Sequence, residues 1–184
     1  MRWTSTPTPL PSSWRTTLHL PAIEPLLEAL VAATRARLAE HNIAAPRLVG
    51  IHSGGVWLAR HLAGALGVEE PIGELDISFY RDDFTRVGMH PTVRPSSIPW
   101  DVEGRHLVLV DDVLYTGRTI RAALNEIFDY GRPASVTLAV LVSRNGRELP
   151  IEAGACGARL SLPAGQQVKL RGPEPLRLEL VERA

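Results

Sequence analysis

Leu107-Val-Leu-Val-Asp-Asp-Val-Leu-Tyr-Thr-Gly-Arg-Thr119 runs from an unbroken apolar stretch into two adjacent carboxylates, then into a short segment of threonine and glycine. Leu107 to Val110 has the length and branching of a buried strand. Arg118 to Tyr130 sets Ile120, Ala123, Leu124, Ile127 and Phe128 on one face, which predicts a helix that stops at Gly131. Thr116, Gly117 and Thr119 therefore fall in or beside a strand-to-helix loop. Backbone N–H groups at a helix N-terminus favour a phosphate, glycine allows close approach, and threonine hydroxyls add donors. Asp111 and Asp112 are not phosphate ligands. They suit ribose hydroxyls or a hard cation such as Mg²⁺, which prefers oxygen ligands and keeps its waters. A phosphate cradle behind two acids describes a ligand bearing phosphate, diol and metal together, a phosphorylated ribose. The loop holds no lysine and no G-x-G-x-x-G, so neither a Walker A loop nor a dinucleotide fingerprint is present. Helix capping alone would use one acid, and two at the end of a buried strand are costly without a partner.

The same alternation extends outward. From Pro21 to Asn42 the apolar residues fall mainly at helical spacing, Arg47 to Ile51 reads as a buried strand, and Val56 to Leu66 returns to a helix. His52, Ser53, Gly54 and Gly55 form a polar turn between the latter two. Ile72 to Phe79 and Val136 to Val142 are predicted strands, as are Val168 to Leu170 and Leu176 to Val181. Strands alternating with helices argue for an α/β fold with a mostly parallel sheet covered on both faces. Ligands bind such sheets at the carboxyl ends of the strands. The turn at His52 and the loop after Asp112 share that edge, and so does Tyr80 to Trp100, a long segment rich in proline with no sustained period. Between Gly146 and Gly165, glycines and prolines separate short stretches. Residues 1–17, with Pro7, Pro9 and Pro11 among Ser and Thr, predict a flexible arm.

Bulk properties narrow the class. The 184 residues suit a single domain with a sizeable core, and 45% hydrophobic with 22% charged residues is ordinary for a globular chain. Twenty basic residues balance twenty acidic ones, so no global electrostatic footprint for nucleic acid exists. Lys169 is the only lysine. Cys156 is the only cysteine, which excludes an intramolecular disulfide, suits a reducing cytoplasm, and reads as a small buried hydrophobe. No apolar run approaches the roughly 20 residues of a membrane span, and no basic-then-apolar signal peptide is evident.

Val-Leu-Val-Asp-Asp-Val-Leu-Tyr-Thr-Gly-Arg-Thr resembles the phosphoribosyl pyrophosphate (PRPP) motif of type I phosphoribosyltransferases, and its wording is most similar to the PyrR family of pyrimidine operon regulators. The resemblance spans about Leu48 to Pro150. It includes Val49-Gly-Ile-His-Ser-Gly-Gly55, Gly73-Glu-Leu-Asp-Ile-Ser-Phe-Tyr-Arg-Asp-Asp83, Tyr130-Gly-Arg-Pro133, Leu141-Val-Ser-Arg144 and Arg147-Glu-Leu-Pro150. It implies a type I phosphoribosyltransferase fold over residues 18–184, with a core to about 143 and a hood over about 144–184. It also implies a division of labour. Asp111 and Asp112 would hold the ribose hydroxyls, directly or through Mg²⁺, and with Arg81 would form the catalytic set. Val113, Leu114, Tyr115, Thr116, Gly117, Arg118 and Thr119 would bind PRPP around the 5′-phosphate. His52, Ser53, Gly54 and Gly55 match the pyrophosphate turn, and Arg81 would close over the leaving group. Uracil would bind under the hood, giving UMP and pyrophosphate in a homodimer or homotetramer.

The family's second function is binding pyrimidine-operon mRNA in response to uridine nucleotides such as UMP and UTP. Arg144 and Arg147 are the candidate RNA contacts, with Arg15, Arg35 and Arg37 completing a possible basic patch. Two departures stand out. Relatives carry Lys-x-Arg-Gly in the pyrophosphate turn, where this chain has His52 and Gly54. They carry His-Arg before Glu-Leu-Pro and a further arginine after it, where this chain has Gly146-Arg147 and Glu152. On this reading, Asp112→Asn abolishes turnover and spares RNA binding, whereas replacing Arg147 does the reverse.

Overall fold

The computed structural model describes residues 20–77 and 95–182. Five strands, β1 (Arg47–Ile51), β2 (Gly73–Leu75), β3 (His106–Leu114), β4 (Ser135–Arg144) and β5 (Ala155–Leu160), join three helices, α1 (Ile23–Glu40), α2 (Gly54–Leu66) and α3 (Arg118–Tyr130). The strands form one parallel sheet in the order β2-β1-β3-β4-β5. A separate antiparallel hairpin, β6 (Gln166–Arg171) with β7 (Arg177–Glu182), follows.

Side chains alternate across the central strand, and each row has its own helices. Val108 and Val110 join α1 and α2 through Leu26, Leu30, Leu58 and Leu62. Leu107 and Leu109 join α3 through Ile120, Ala123 and Ile127. Each such valine, leucine or isoleucine side chain, taken fully out of water, stabilises the fold by about 1.5–3 kcal/mol. A strand buried on both faces reads as a continuous apolar run, which is why Leu107 to Val110 was so legible.

From β1 the chain moves through α2 to β2 on one side, and from β3 through α3 to β4 on the other. The order therefore reverses between β1 and β3, and their carboxyl ends lie side by side at the switch point. No helix among the described residues is long and apolar enough to cross a membrane.

Three elements differ from expectation. β3 does not stop at Val110 but continues through both aspartates to Leu114. β2 covers three residues instead of the run from Ile72 to Phe79, whose last two positions lie outside the described residues. β5 lies within the stretch assigned to a hood, yet it pairs with β4 and extends the central sheet. The arm at residues 1–17 lies outside the described residues.

Candidate active site

The turn after β1 and the acids of β3 come together directly. β1 ends at Ile51, and α2 begins at Gly54 with Ser53 as its cap residue. A Cβ built on Gly54 would lie 2.7 Å from Asp112 Oδ2, and one on Gly55 would lie 2.2 Å from the Val110 carbonyl oxygen. Only glycines let α2 start this close to β3. Strand alternation sets the two acids apart: Asp112 continues the Val108–Val110 row toward α2, and Asp111 continues the opposite row. Asp111 is 4% exposed and Asp112 is half-buried. The Asp112 N–H donates to Asp111 Oδ1 at 2.9 Å, and the Val113 N–H donates to Asp112 Oδ1 at 2.9 Å. Each carboxylate is thus oriented by the next backbone amide.

The second half of the site is the loop from Tyr115 to Thr119. Gly117 takes φ 95°, a left-handed conformation that a side chain resists, and α3 starts at Arg118. Thr116 is buried, and its Oγ1 accepts the Arg118 N–H at 3.2 Å. Neither α2 nor α3 has its first turn capped by the side chain of its cap residue. Two helix N-termini, each carrying partial positive charge, therefore lie on either side of two carboxylates. Of the remaining loop positions, Leu114 is buried and Val113 packs against the α1–α2 cluster, so both contribute backbone and spacing. Thr119 is half-buried.

The segment after β4 props this loop from behind. Backbone N–H groups of Glu148 and Leu149 both donate to the Thr116 carbonyl, at 3.0 and 3.1 Å. Arg118 Nε donates to Glu148 at 2.9 Å. The Arg147 guanidinium donates to the Tyr115 carbonyl, and to Ser143 Oγ at 3.1 Å. Sequence reasoning assigned Arg147 to RNA and missed this role, because the support is formed by residues some thirty positions apart.

Arg144 is also placed differently from an open RNA contact. It is 8% exposed, its guanidinium stacks 4.1 Å from the Tyr115 ring centroid, and it donates to the Gln166 carbonyl at 2.8 Å. It fastens hairpin strand β6 to the end of β4. Four members of the expected basic patch lie among the described residues, two on α1 and two near the end of β4. Arg35 and Arg37 lie on the last turns of α1, which leads into the amino end of β1, whereas Arg144 and Arg147 lie at the carboxyl end of β4. Arg37 is moreover paired with Glu40 at 2.7 Å. Glu152 lies 3.7 Å from Arg159, both exposed. Arg15 and Arg81 lie outside the described residues.

His52 opens the turn. Its N–H donates to the Leu75 carbonyl at 2.9 Å, and its Nε2 lies 3.0 Å from Glu74 Oε2 on β2. Glu74 was quoted within a motif but given no role, since nothing local in sequence links positions 52 and 74.

Among the described residues no group of three or more His, Cys, Asp or Glu could hold a metal by itself. Asp111 and Asp112 offer an oxygen-only donor set. That set fits a hard cation sharing its remaining positions with water and substrate oxygens, as Mg²⁺ does.

Comparison with known proteins identifies the family and the fold. Residues 15–160 match the family model described as the phosphoribosyl transferase domain. The chain is 60% identical over 162 residues to the bifunctional protein PyrR of Pseudomonas paraeruginosa, covering 88% of this chain and 95% of that protein. It is 57% identical over 160 residues to the bifunctional protein PyrR of Nitrosococcus oceani, covering 86% and 90% respectively. Among solved structures, it superimposes on a Leishmania tarentolae HGPRT-ase in complex with GMP with a TM-score of 0.61 at 18% identity, covering 79% and 82% of the two chains. A Trypanosoma cruzi hypoxanthine phosphoribosyl transferase gives 0.62 at 21% identity, covering 82% and 80%. Those two likenesses establish the fold: a type I phosphoribosyltransferase architecture. With the family model and the identity to the PyrR proteins, they lead to one assignment: the chain belongs to the PyrR family of phosphoribosyltransferases.

Proposed function

We propose that this protein transfers the phosphoribosyl group of PRPP to uracil, giving UMP and pyrophosphate with Mg²⁺ as cofactor. The observation that carries the reading is the meeting of Gly54 with Asp112, which brings two helix N-termini and two carboxylates into one site. Backbone donors of Ser53, Gly54 and Gly55 take the pyrophosphate, and those of Thr116 to Thr119 take the 5′-phosphate. Asp111 and Asp112 would hold the ribose 2′- and 3′-hydroxyls, directly or through a Mg²⁺, and that cation would supply charge neutralisation for the leaving group. Breaking the bond from ribose C1′ to pyrophosphate builds positive charge on the sugar and negative charge on pyrophosphate. Groups that face those charges before the reaction lower the barrier most. Uracil N1 forms the new bond to C1′, losing its proton as pyrophosphate departs. Cys156 donates its S–H to the Ala158 carbonyl at 2.9 Å and takes no part.

Calorimetric titration with PRPP tests the site. With Mg²⁺ present PRPP binds, and chelation weakens the binding by at least about tenfold, the expected cost of losing a hard cation between substrate phosphates. Equal affinity with and without Mg²⁺ would contradict the shared role of Asp111 and Asp112.

Arg147 supports the phosphate loop in this reading, so Arg147→Ala raises the KM for PRPP by roughly threefold to tenfold through a loosened Tyr115 carbonyl. This replaces the expectation that Arg147 matters to RNA alone. Steady-state kinetics on that variant check it.

Binding of pyrimidine-operon mRNA is the second reading, supported by the word bifunctional in the relatives' names. The residues offered for it give it less support than the transferase site has. Arg144 is committed inside the molecule, and Glu152 contributes negative charge where a basic contact is expected.

A further inference from the structure

Glu74 has a side chain and a backbone that tie together parts of the site which the sequence keeps apart. Its Oε2 lies 3.0 Å from His52 Nε2, and its Oε1 accepts from Arg60 Nη2 on α2 at 2.8 Å. Its backbone is held from both sides. In the sheet it pairs with Gly50 of β1, and beyond the sheet edge it exchanges two 2.8 Å hydrogen bonds with Ser97. The Cα is therefore fixed, and the carboxylate is only partly exposed at 29%. His52 at the other end is 12% exposed, and its own N–H is already bound to the Leu75 carbonyl.

We infer that Glu74 is a positioning residue for pyrophosphate: by holding the His52 ring and Arg60 of α2 at once, it sets the orientation of the Ser53–Gly55 turn whose backbone donors take the leaving group. The inference rests on the reading of that turn as the pyrophosphate site. This chain lacks the lysine and arginine of the Lys-x-Arg-Gly pattern, so its turn binds pyrophosphate largely through oriented N–H groups. Such donors act only when aimed, because a hydrogen bond weakens steeply off axis. A side chain with a freely placed charge tolerates a loose turn, whereas a backbone nest does not. The Arg60 guanidinium offsets the Glu74 charge and the His52 ring lies within hydrogen-bond distance of it, so the carboxylate works as a clamp more than as a source of repulsion toward the anion.

Steady-state kinetics with pyrophosphate as product inhibitor test this on three full-length variants. Glu74→Ala leaves space and Glu74→Leu fills it, and either one that retains its thermal unfolding midpoint carries the test. Both raise the KM for PRPP and the pyrophosphate inhibition constant by about tenfold, with the KM for uracil and kcat within about threefold of wild type. Glu74→Gln keeps an acceptor for His52 without the charge and restores both constants to within about threefold, which separates positioning from electrostatics. Wild-type pyrophosphate inhibition in the Ala and Leu variants would overturn the inference, as would equal increases in the KM for uracil. A wild-type protein that pyrophosphate does not inhibit would overturn the reading of the turn itself.

Discussion

Asp112→Asn is expected to lower kcat/KM for PRPP by at least about a hundredfold, roughly 2.7 kcal/mol of transition-state stabilisation. The substitution changes little else. Asparagine keeps the shape, and its Oδ1 still accepts the Val113 N–H that orients the side chain at 2.9 Å. The group lost is the charged oxygen facing Gly54. A neutral amide binds ribose hydroxyls but neither holds a divalent cation nor offsets positive charge growing on the sugar. The thermal unfolding midpoint is expected to stay within a few degrees of wild type. RNA binding, if this chain retains it, is expected to survive. Activity within threefold of wild type would show that Asp112 faces no reacting group.

Gly54→Ala is the second large effect. The added Cβ would lie 2.7 Å from Asp112 Oδ2 and 2.9 Å from both its Cβ and Cγ, closer than real Cβ atoms approach. Displacing a flexible carboxylate tip relieves the first contact, but the Cβ contact requires α2 or β3 to move. Overpacking of this kind costs about 1–3 kcal/mol of stability. Because a 1 Å misplacement at a reacting centre costs about a hundredfold in rate, activity falls further than stability does. Kinetics paired with thermal unfolding separate the two losses. A variant as stable and as active as wild type would mean that the turn and the acids are not held in contact in solution.

Much of this arrangement was legible because it is local. β1 and α3 match the bounds read from periodicity, and Asp111 to Thr119 follow one another along the chain. The extension of β3 through Asp111 and Asp112 was hidden because aspartate is disfavoured in strands. Only pairing with β4, where Asp111 meets Val140 and Leu114 meets Ser143, holds it there. β5 was hidden by its glycine. A Cβ on Gly157 would lie 2.6 Å from the Leu141 carbonyl oxygen and 2.7 Å from that of Leu26. The residue that broke the strand pattern is the one that lets α1 cross the sheet. Arg144 and Arg147 were read as surface groups because arginine usually is exposed. Their partners, Tyr115, Ser143 and Gln166, are set by tertiary packing, as is the contact between His52 and Glu74. No spacing rule connects such pairs.

The most direct test is steady-state release of pyrophosphate, with identification of the nucleotide formed, from PRPP, Mg²⁺ and one base at a time: uracil, orotate, hypoxanthine or adenine. UMP is expected from uracil, and no nucleotide from the other three. Turnover of hypoxanthine or adenine in preference to uracil, or tight PRPP binding with no turnover of any base, would contradict the proposed transfer to uracil.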